Sequence, residues 1–269
     1  MTDHHPSPAD LAADHLLAAE LAEGAGALLL EVRADLAAKG APASELKATG
    51  DRVAHEYLME RLRALRPDDA ILSEEGSGDT GRTGTERLAA ERVWIVDPLD
   101  GTREYSEPPR SDWAVHVALV SGGQPIAGAV ALPAKGLVLN RVPATVLPPA
   151  PPAKPRVIVS RSRPPAIALH LADALGAELV EMGSAGAKVA AVVLGEADVY
   201  PHSGGQYEWD SCAPVAVATA AGLVATRLDG SPLVYNNADP YLPDLLVCHP
   251  YLAIQARTVI DLWLSEQQG

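Results

Sequence analysis

The chain has 269 residues, 48% hydrophobic and 21% charged, a composition that can bury a large core. No apolar run approaches the roughly 18 residues of a membrane span, and the first residues lack a secretory pattern, so a cytoplasmic protein without membrane contact is predicted. Lys and Arg number 21 against 35 Asp and Glu, and the resulting net charge of -14 disfavours a nucleic-acid polymer as partner.

Two helices are predicted at the beginning of the chain. Ser7 and Pro8 resemble a helix start, and apolar residues recur at helical spacing to about Ala38. A second helix is predicted from Asp51 until Pro67 ends it, with its apolar side chains on one face. Asp51 is therefore expected in the first turn of this helix. A favourable interaction with the helix dipole is an ordinary structural role for an acid at such a position.

Short apolar runs with strand composition follow. They cover residues 70–72, 93–96, 115–120 and 126–132. The last two runs are separated by Ser121-Gly122-Gly123-Gln124, which favours a β-hairpin. This part of the chain is therefore predicted to form a sheet after the two helices.

A proline-rich segment divides the chain. Six prolines between Val142 and Pro155 favour a stiff, extended connector. Beyond it, strand and helix patterns alternate, which is typical of an α/β unit. The strands are predicted at 157–159, 179–182 and 198–200, and the helices at about 165–175, 187–194, 210–221 and 251–266. We expect an N-terminal α+β half over 1–145 and a C-terminal α/β half over 156–269.

The most informative motif is DPLDGT at residues 97–102. An apolar strand delivers Asp97 and Asp100 at its exit, and Pro98 restricts the backbone so that both acids can converge with the Leu99 carbonyl. Oxygen ligands of this kind suit a hard cation. A Pro/Asp/Gly surface turn is the alternative for these residues taken alone.

Further acids lie at the ends of other predicted elements. Glu74 and Glu75 follow a short strand, and Asp210 begins a helix. Each has an ordinary alternative, because paired glutamates in loops are usually solvated and an acid at a helix start can be an N-cap. Together with Asp51, these acids form the set that a multi-metal phosphate site needs.

The order of these motifs resembles the lithium-sensitive, magnesium-dependent phosphatases of the inositol monophosphatase superfamily. The resemblance rests on Glu74-Glu75, DPLDGT and Trp209-Asp210, and spans roughly residues 45 to 225. After DPLDGT, the chain reads Arg103-Glu104-Tyr105, which resembles the bacterial branch acting on 3'-phosphoadenosine 5'-phosphate. The SRSR segment at 160–163, the GSAGAK loop at 183–188 and the phenylalanine-free composition resemble an actinobacterial member of that branch.

The resemblance implies a fold and a metal site. The implied fold is an α/β class, layered α/β/α/β/α sandwich with the site between its halves. Two Mg2+ are implied, the first held by Glu74, Asp97 and the Leu99 carbonyl, the second by Asp97, Asp100 and Asp210. Glu74 would also contact a third, weaker ion.

The catalytic roles are likewise implied by the resemblance. Thr102, bonded to Asp51, would orient and help deprotonate the attacking water, with Glu75 assisting, and the Gly101 and Thr102 amides would receive the phosphate. The segment before Asp51 departs from the family, because it lacks the threonine that relatives carry in register.

Substrate contacts are expected from basic and loop residues. Lys188 lies in the first turn of a predicted helix, where a cation is unfavourable unless an anion is near. Substrate-binding candidates are Arg103, Arg161, Arg163, Ser184 and Lys188. A solvated surface role is the alternative for the basic residues. His55 and His116 are expected to be structural, because Mg2+ prefers oxygen ligands.

The leading functional hypothesis is Mg2+-dependent hydrolysis of the 3'-phosphate of 3'-phosphoadenosine 5'-phosphate, and of its 5'-phosphosulfate relative, in sulfate assimilation. An inositol-1-phosphate or fructose-1,6-bisphosphate phosphatase is the alternative among enzymes. A non-catalytic metal or nucleotide sensor is the alternative of another class, which the water-activating Thr102 disfavours. Dimers are common in the family, and a homodimer is compatible with the sequence.

Overall fold

The computed structural model describes residues 8–82, 84–147 and 152–267. The helices in these segments are α1 (Pro8–Ala38), α2 (Ala43–Leu65), α3 (Thr102–Tyr105), α4 (Ala166–Ala174), α5 (Ala185–Val193), α6 (Glu208–Ala220) and α7 (Ala253–Glu266). The strands are β1 (Ala70–Ser73), β2 (Arg92–Asp100), β3 (Ala114–Ser121), β4 (Gln124–Leu132), β5 (Leu137–Asn140), β6 (Arg156–Ser160), β7 (Glu178–Met182), β8 (Val199–Tyr207), β9 (Val224–Thr226) and β10 (Tyr241–Cys248).

The strands form two five-stranded sheets. The first has the order β1-β2-β3-β4-β5, with β1 parallel to β2 and the other neighbours antiparallel. The second has the order β7-β6-β8-β10-β9, with β6 parallel to both β7 and β8. Strands β2 and β3 are buried almost throughout, because helices cover both faces of the first sheet.

Three hydrophobic layers hold the molecule together. One lies between the first sheet and helices α1 and α2, and another lies between the second sheet and helices α4 and α7. The middle layer joins the inner faces of both sheets to α5 and α6. This arrangement confirms the predicted α/β/α/β/α sandwich, and it brings the ends of β2, α5 and α6 to the same region.

The second helix begins earlier than predicted. It starts at Ala43, directly after the extended Pro42, so Asp51 lies in its third turn and the expected first-turn position is wrong. Gly50 does not break this helix, and its missing side chain permits close packing, because a Cβ atom there would come within 2.7 Å of the Tyr105 ring. The helix therefore continues through Gly50 to pack closely against α3.

Some sequence predictions concern segments that the structure does not describe. Ser7 and residues 148–151 of the proline-rich segment lie outside the described residues. The division into halves at 145 and 156 stays a prediction, and the middle hydrophobic layer contains side chains from both sides of it. Among the described helices, none combines the length and apolar character needed to cross a lipid bilayer.

Candidate active site

The exit of β2 turns two acids toward one point. Along β2, Asp97 pairs with His116 of β3, but the register slips before Asp100, which pairs with Ala114. Gly101 then takes a φ of 83°, a conformation that favours glycine. A Cβ atom at this position would also come within 3.0 Å of Ser184, so Gly101 lets the loop before α5 approach closely.

A cluster of three acids forms at this point. Carboxylate oxygens of Asp97, Asp100 and Asp210 lie within 4.8 Å of one another, the last residue being supplied by the first turn of α6. Asp97 accepts a hydrogen bond from the Leu99 amide at 3.0 Å through Oδ1, whereas its Oδ2 is buried and has no hydrogen-bond partner among the described residues. We call these three residues the acid cluster.

The acid cluster carries more negative charge than its surroundings neutralise. Burial, together with the neighbouring Glu74 and Asp100, raises the pKa of Asp97 well above its ordinary value. Burial and the Asp100 charge raise the pKa of Asp210 to about 7. Glu74 is exposed overall, yet desolvation of its carboxyl by the surrounding protein raises its pKa to about 8. A proton or a cation bound at this point would therefore relieve electrostatic repulsion.

Asp100 differs from its neighbours because it already has several hydrogen-bond donors. It accepts hydrogen bonds from Ser184 Oγ at 2.5 Å and from the amides of Ala185 and Gly186 at 3.1 and 2.6 Å. Burial alone would raise its pKa, but His116, with Nε2 at 3.2 Å, and Ser184 outweigh this effect and lower the pKa to about 2. Asp100 therefore anchors the beginning of α5 as well as completing the acid cluster.

The donor set fits a divalent cation. All ligand atoms of the acid cluster are oxygens, as Mg2+ requires, and the unpartnered Oδ2 of Asp97 lies among them. Asp97 and Asp210 are the two members of the acid cluster whose pKa values are raised, so their ionised forms are the ones that a cation would stabilise most. A metal ion would have to share Asp100 with the N-terminus of α5.

The predicted catalytic residues lie beside the acid cluster. Thr102 Oγ1 is 3.4 Å from Asp51 Oδ1 and 3.1 Å from the Leu99 carbonyl oxygen, and its proton can be donated to either. Burial and the charge of Glu75 raise the pKa of Asp51 to about 7, although the hydrogen bond from Thr102 opposes this shift. A hydroxyl and an adjacent carboxyl that titrates near neutral pH can together accept a proton from a third group.

Both histidines singled out in the sequence contact residues near the site. His116 is fully buried, and its Nδ1 lies 3.0 Å from the Trp209 carbonyl oxygen while Nε2 faces Asp100. The imidazole thus connects β3 to both acid-bearing segments. His55 Nδ1 lies 3.0 Å from Ser73 Oγ, which ties α2 to the end of β1.

An open cavity of about 530 Å3 adjoins the acid cluster. Asp100 and Asp210 line one part of it, and Lys188, Arg163 and Arg103 line others. Lys188 is only 5% exposed, and its ammonium donates to the carbonyl oxygens of Gly183 and Ser184. Burial lowers its pKa, although the acids around it oppose this shift. The cavity thus places cations and carboxylates around one space.

Arg161 and Ser184 are among the predicted substrate residues that have partners within the protein. Arg161 donates to Glu104 and to Glu107, both at 2.7 Å. The Ser184 hydroxyl donates to Asp100 and accepts from the Ala187 amide, so it caps α5. Their substrate-binding roles stay predictions, and the contacts found here connect the GSAGAK and SRSR segments to the exit of β2.

The structure adds residues that sequence reasoning did not single out. Asp112 accepts a hydrogen bond from the Gly183 amide at 2.7 Å and so holds the loop before α5. Tyr200, His202 and Gln206 of β8 also line the cavity. The only signal in the sequence was their proximity to Trp209-Asp210, because polar residues in a strand do not by themselves indicate a cavity.

Comparisons with known proteins agree with this geometry. The profile of the Inositol monophosphatase family matches residues 12–146 and 154–260. A 3'-phosphoadenosine 5'-phosphate phosphatase of Mycobacterium bovis is 50% identical over 248 residues, which cover 89% of this chain and 90% of that protein. The 3'(2'),5'-bisphosphate nucleotidase CysQ of Escherichia coli is 33% identical over 205 residues, covering 71% and 80%.

A solved structure has the same fold. CysQ from Bacteroides thetaiotaomicron, described as a bacterial member of the inositol monophosphatase family, superposes with a TM-score of 0.72 and 26% identity over 87% of this chain and 96% of that one. The motifs, the layered sandwich and these matches agree, and the chain belongs to the inositol monophosphatase family.

Proposed function

We propose that this protein is a Mg2+-dependent phosphatase that hydrolyses the 3'-phosphate of 3'-phosphoadenosine 5'-phosphate. One observation carries the proposal: Asp100 and Asp210 of the acid cluster border the same cavity as the buried Lys188. A substrate with two separated phosphates needs a cation site for the reacting group and a positive group for the other. The names of the relatives from Mycobacterium bovis and Escherichia coli support the same substrate class.

The acid cluster would hold the metal ions together with Glu74 and the Leu99 carbonyl. When bound, Mg2+ supplies Lewis-acid stabilisation of negative charge on the transferring phosphoryl group. Asp97 contributes the carboxylate oxygen that lacks another partner, which makes it the residue on which ion binding depends most. The number of ions follows from family resemblance, with two expected and a third in contact with Glu74.

Thr102 and Asp51 would manage the proton of the attacking water. The Thr102 hydroxyl donates toward Asp51 Oδ1, which leaves its lone pairs free to accept a hydrogen bond from a water molecule. A proton leaving that water can move through Thr102 Oγ1 to Asp51, whose pKa of about 7 suits a base at neutral pH. Glu75 acts on this step through its charge, which favours the protonated form of Asp51.

Amides and basic side chains would bind the substrate. The Gly101 and Thr102 amides lie at the start of α3, where N–H groups suit a phosphoryl oxygen. Lys188, Arg163 and Arg103 provide positive charge elsewhere in the cavity for the 5'-phosphate. The loop before α5 is held by Asp100 and Asp112, so Lys188 would be positioned before substrate arrives.

The regiochemistry of the product tests this proposal. Purified protein with Mg2+ and 3'-phosphoadenosine 5'-phosphate should release one phosphate and yield adenosine 5'-phosphate, identified by chromatography. Chelation of Mg2+ should abolish the release. Formation of adenosine 3'-phosphate, or equal release in chelator, would contradict the proposal.

A further inference from the structure

Gln206 lines the cavity and carries an unsatisfied polar atom. Its side chain is only 5% exposed, and its Nε2 donates to the Tyr200 hydroxyl at 2.9 Å. The other amide atom, Oε1, is buried and has no hydrogen-bond partner among the described residues. A buried acceptor without a hydrogen-bond partner is unfavourable. A ligand group that donates to it therefore gains more binding free energy than one that donates to an acceptor already bonded to water.

A β-bulge precedes this side chain. Strand β8 pairs with β10 through Ser203 opposite Asp244 and Gln206 opposite Leu242, so two residues of β8 face one residue of β10. The two residues are Gly204 and Gly205, with φ angles of 80° and 87°. A bulge changes the direction of the side chains that follow it. The local backbone therefore orients Gln206 toward the cavity.

The side chains of β8 around Gln206 are polar but uncharged. Tyr200 is 1% exposed, and both ring nitrogens of His202 are buried without hydrogen-bond partners among the described residues. Burial and the charge of Lys188 lower the pKa of His202 to about 4, so its imidazole is neutral near pH 7. Neutral groups of this kind suit an uncharged polar part of a ligand, whereas Lys188 and Arg163 suit its anionic parts.

We propose that Gln206 is a specificity-determining residue, whose Oε1 accepts a hydrogen bond from a neutral N–H or O–H group of the nucleoside. This inference rests on the proposed function, because a nucleoside is the uncharged part of that substrate. Two groups have the required chemistry, namely the exocyclic amine of adenine and the ribose 2'-hydroxyl. Tyr200 is a positioning residue, because its hydroxyl accepts a hydrogen bond from the amide nitrogen and so fixes the orientation of the Gln206 amide.

Binding of the reaction product tests this inference without requiring turnover. Isothermal titration calorimetry in Mg2+ buffer would compare adenosine 5'-phosphate with its 2'-deoxy analogue and with purine riboside 5'-phosphate, which lacks the amine. The wild type should bind one of the two analogues about three- to tenfold more weakly than adenosine 5'-phosphate, the range for one hydrogen bond. Gln206→Met should bind adenosine 5'-phosphate more weakly by a similar factor and lose that discrimination, while its affinity for inorganic phosphate stays unchanged.

Two further variants make the result specific. Gln124→Met is the matched control, because Gln124 lies in the β3–β4 hairpin and donates to the Leu233 carbonyl oxygen, and it should bind all ligands as the wild type does. Tyr200→Phe keeps Gln206 and should reduce the discrimination, which gives a second measurement if Gln206→Met does not fold.

The outcomes separate this inference from the proposed function. Equal affinity of the wild type for all three nucleotides, absent nucleotide binding, or discrimination that persists in both Gln206→Met and Tyr200→Phe would overturn the role of Gln206. Discrimination that depends on Gln206, in a protein that does not hydrolyse 3'-phosphoadenosine 5'-phosphate, would instead support this inference and contradict the proposed function.

Discussion

Asp97→Asn should make the protein more stable without metal and unresponsive to metal. The substitution keeps an oxygen that can accept from the Leu99 amide, but it replaces the unpartnered, buried Oδ2 with a neutral NH2 group. The charge is thereby removed from the centre of the acid cluster with little change of shape. Removing a metal ligand while gaining stability is a combination that few other substitutions would produce.

The spacing of the acids sets the size of this effect. Two unit charges within 4.8 Å repel by about 3 kcal/mol at an effective dielectric constant near 20. Protonation relieves part of this repulsion, so we expect Asp97→Asn to stabilise the metal-free protein by about 2 kcal/mol, which raises the melting temperature by about 4–8 °C. In the wild type, Mg2+ at a hundredfold excess over its dissociation constant should raise the free energy of unfolding by about 2.7 kcal/mol.

The pH dependence has a defined sign. The pKa of Asp97 is higher in the folded protein than its ordinary value of 3.8, so this acid favours folding least when it is ionised. Without metal, its unfavourable contribution begins as pH rises through 3.8 and grows until the folded-state pKa is passed. The stability difference between Asp97→Asn and the wild type should therefore be larger at pH 8 than at pH 5.

Thermal denaturation in chelator and in saturating Mg2+, at both pH values, measures all of these quantities. Asp261→Asn is a matched control, because Asp261 is exposed on α7 and pairs with Arg257 away from the site. This control should keep the wild-type Mg2+ response and should gain no stability. A Mg2+ response retained by Asp97→Asn, or lower stability of this variant in chelator, would refute the assignment of the acid cluster as a metal site.

Three other substitutions test separate parts of the account. Thr102→Val should lower kcat at least about a hundredfold while keeping the Mg2+-induced rise in melting temperature, and loss of that rise would show that Thr102 acts on the metal instead. Lys188→Met should raise KM for 3'-phosphoadenosine 5'-phosphate about tenfold and barely change inositol-1-phosphate hydrolysis. If the ratio of the kcat/KM values for these two substrates is the same as in the wild type, Lys188 does not bind the second phosphate. Asp198→Asn should cost about 2 kcal/mol in urea unfolding at pH 7, because Asp198 accepts hydrogen bonds from Arg156 and Tyr251. These partners outweigh the effect of burial and lower the pKa of Asp198. The destabilisation caused by Asp198→Asn should therefore disappear only as pH falls through that lowered pKa. An equal loss of unfolding free energy at pH 7 and pH 2 would contradict this reason.

The layered fold and the acid cluster could both be anticipated from the sequence. The apolar run before DPLDGT predicts a strand whose exit carries Asp97 and Asp100, and the family resemblance places Asp210 beside them. Asp97, Asp100 and Asp210 do lie together in the structure. The Glu74 carboxyl is close enough to help raise the pKa of Asp97.

Long-range contacts could not be anticipated in the same way. The predicted start of α2 at Asp51 was wrong, and the close packing of Gly50, inside this helix, against Tyr105 is a contact that the local sequence does not reveal. Strand β10 was not predicted, because Tyr241-Leu242-Pro243-Asp244 carries a proline and an acid within the strand. The position of Gln206 depends on the bulge in β8 and on its hydrogen bond to Tyr200, and neither follows from local propensity.

A comparison of substrates tests the central claim most directly. Phosphate release with Mg2+ should be measured for 3'-phosphoadenosine 5'-phosphate, inositol-1-phosphate and fructose-1,6-bisphosphate under the same conditions. We predict that kcat/KM for the nucleotide exceeds the other two values by at least about tenfold, because in the proposed function the nucleotide would engage both the acid cluster and the cations of the cavity. Equal or higher kcat/KM for inositol-1-phosphate or fructose-1,6-bisphosphate would contradict the account.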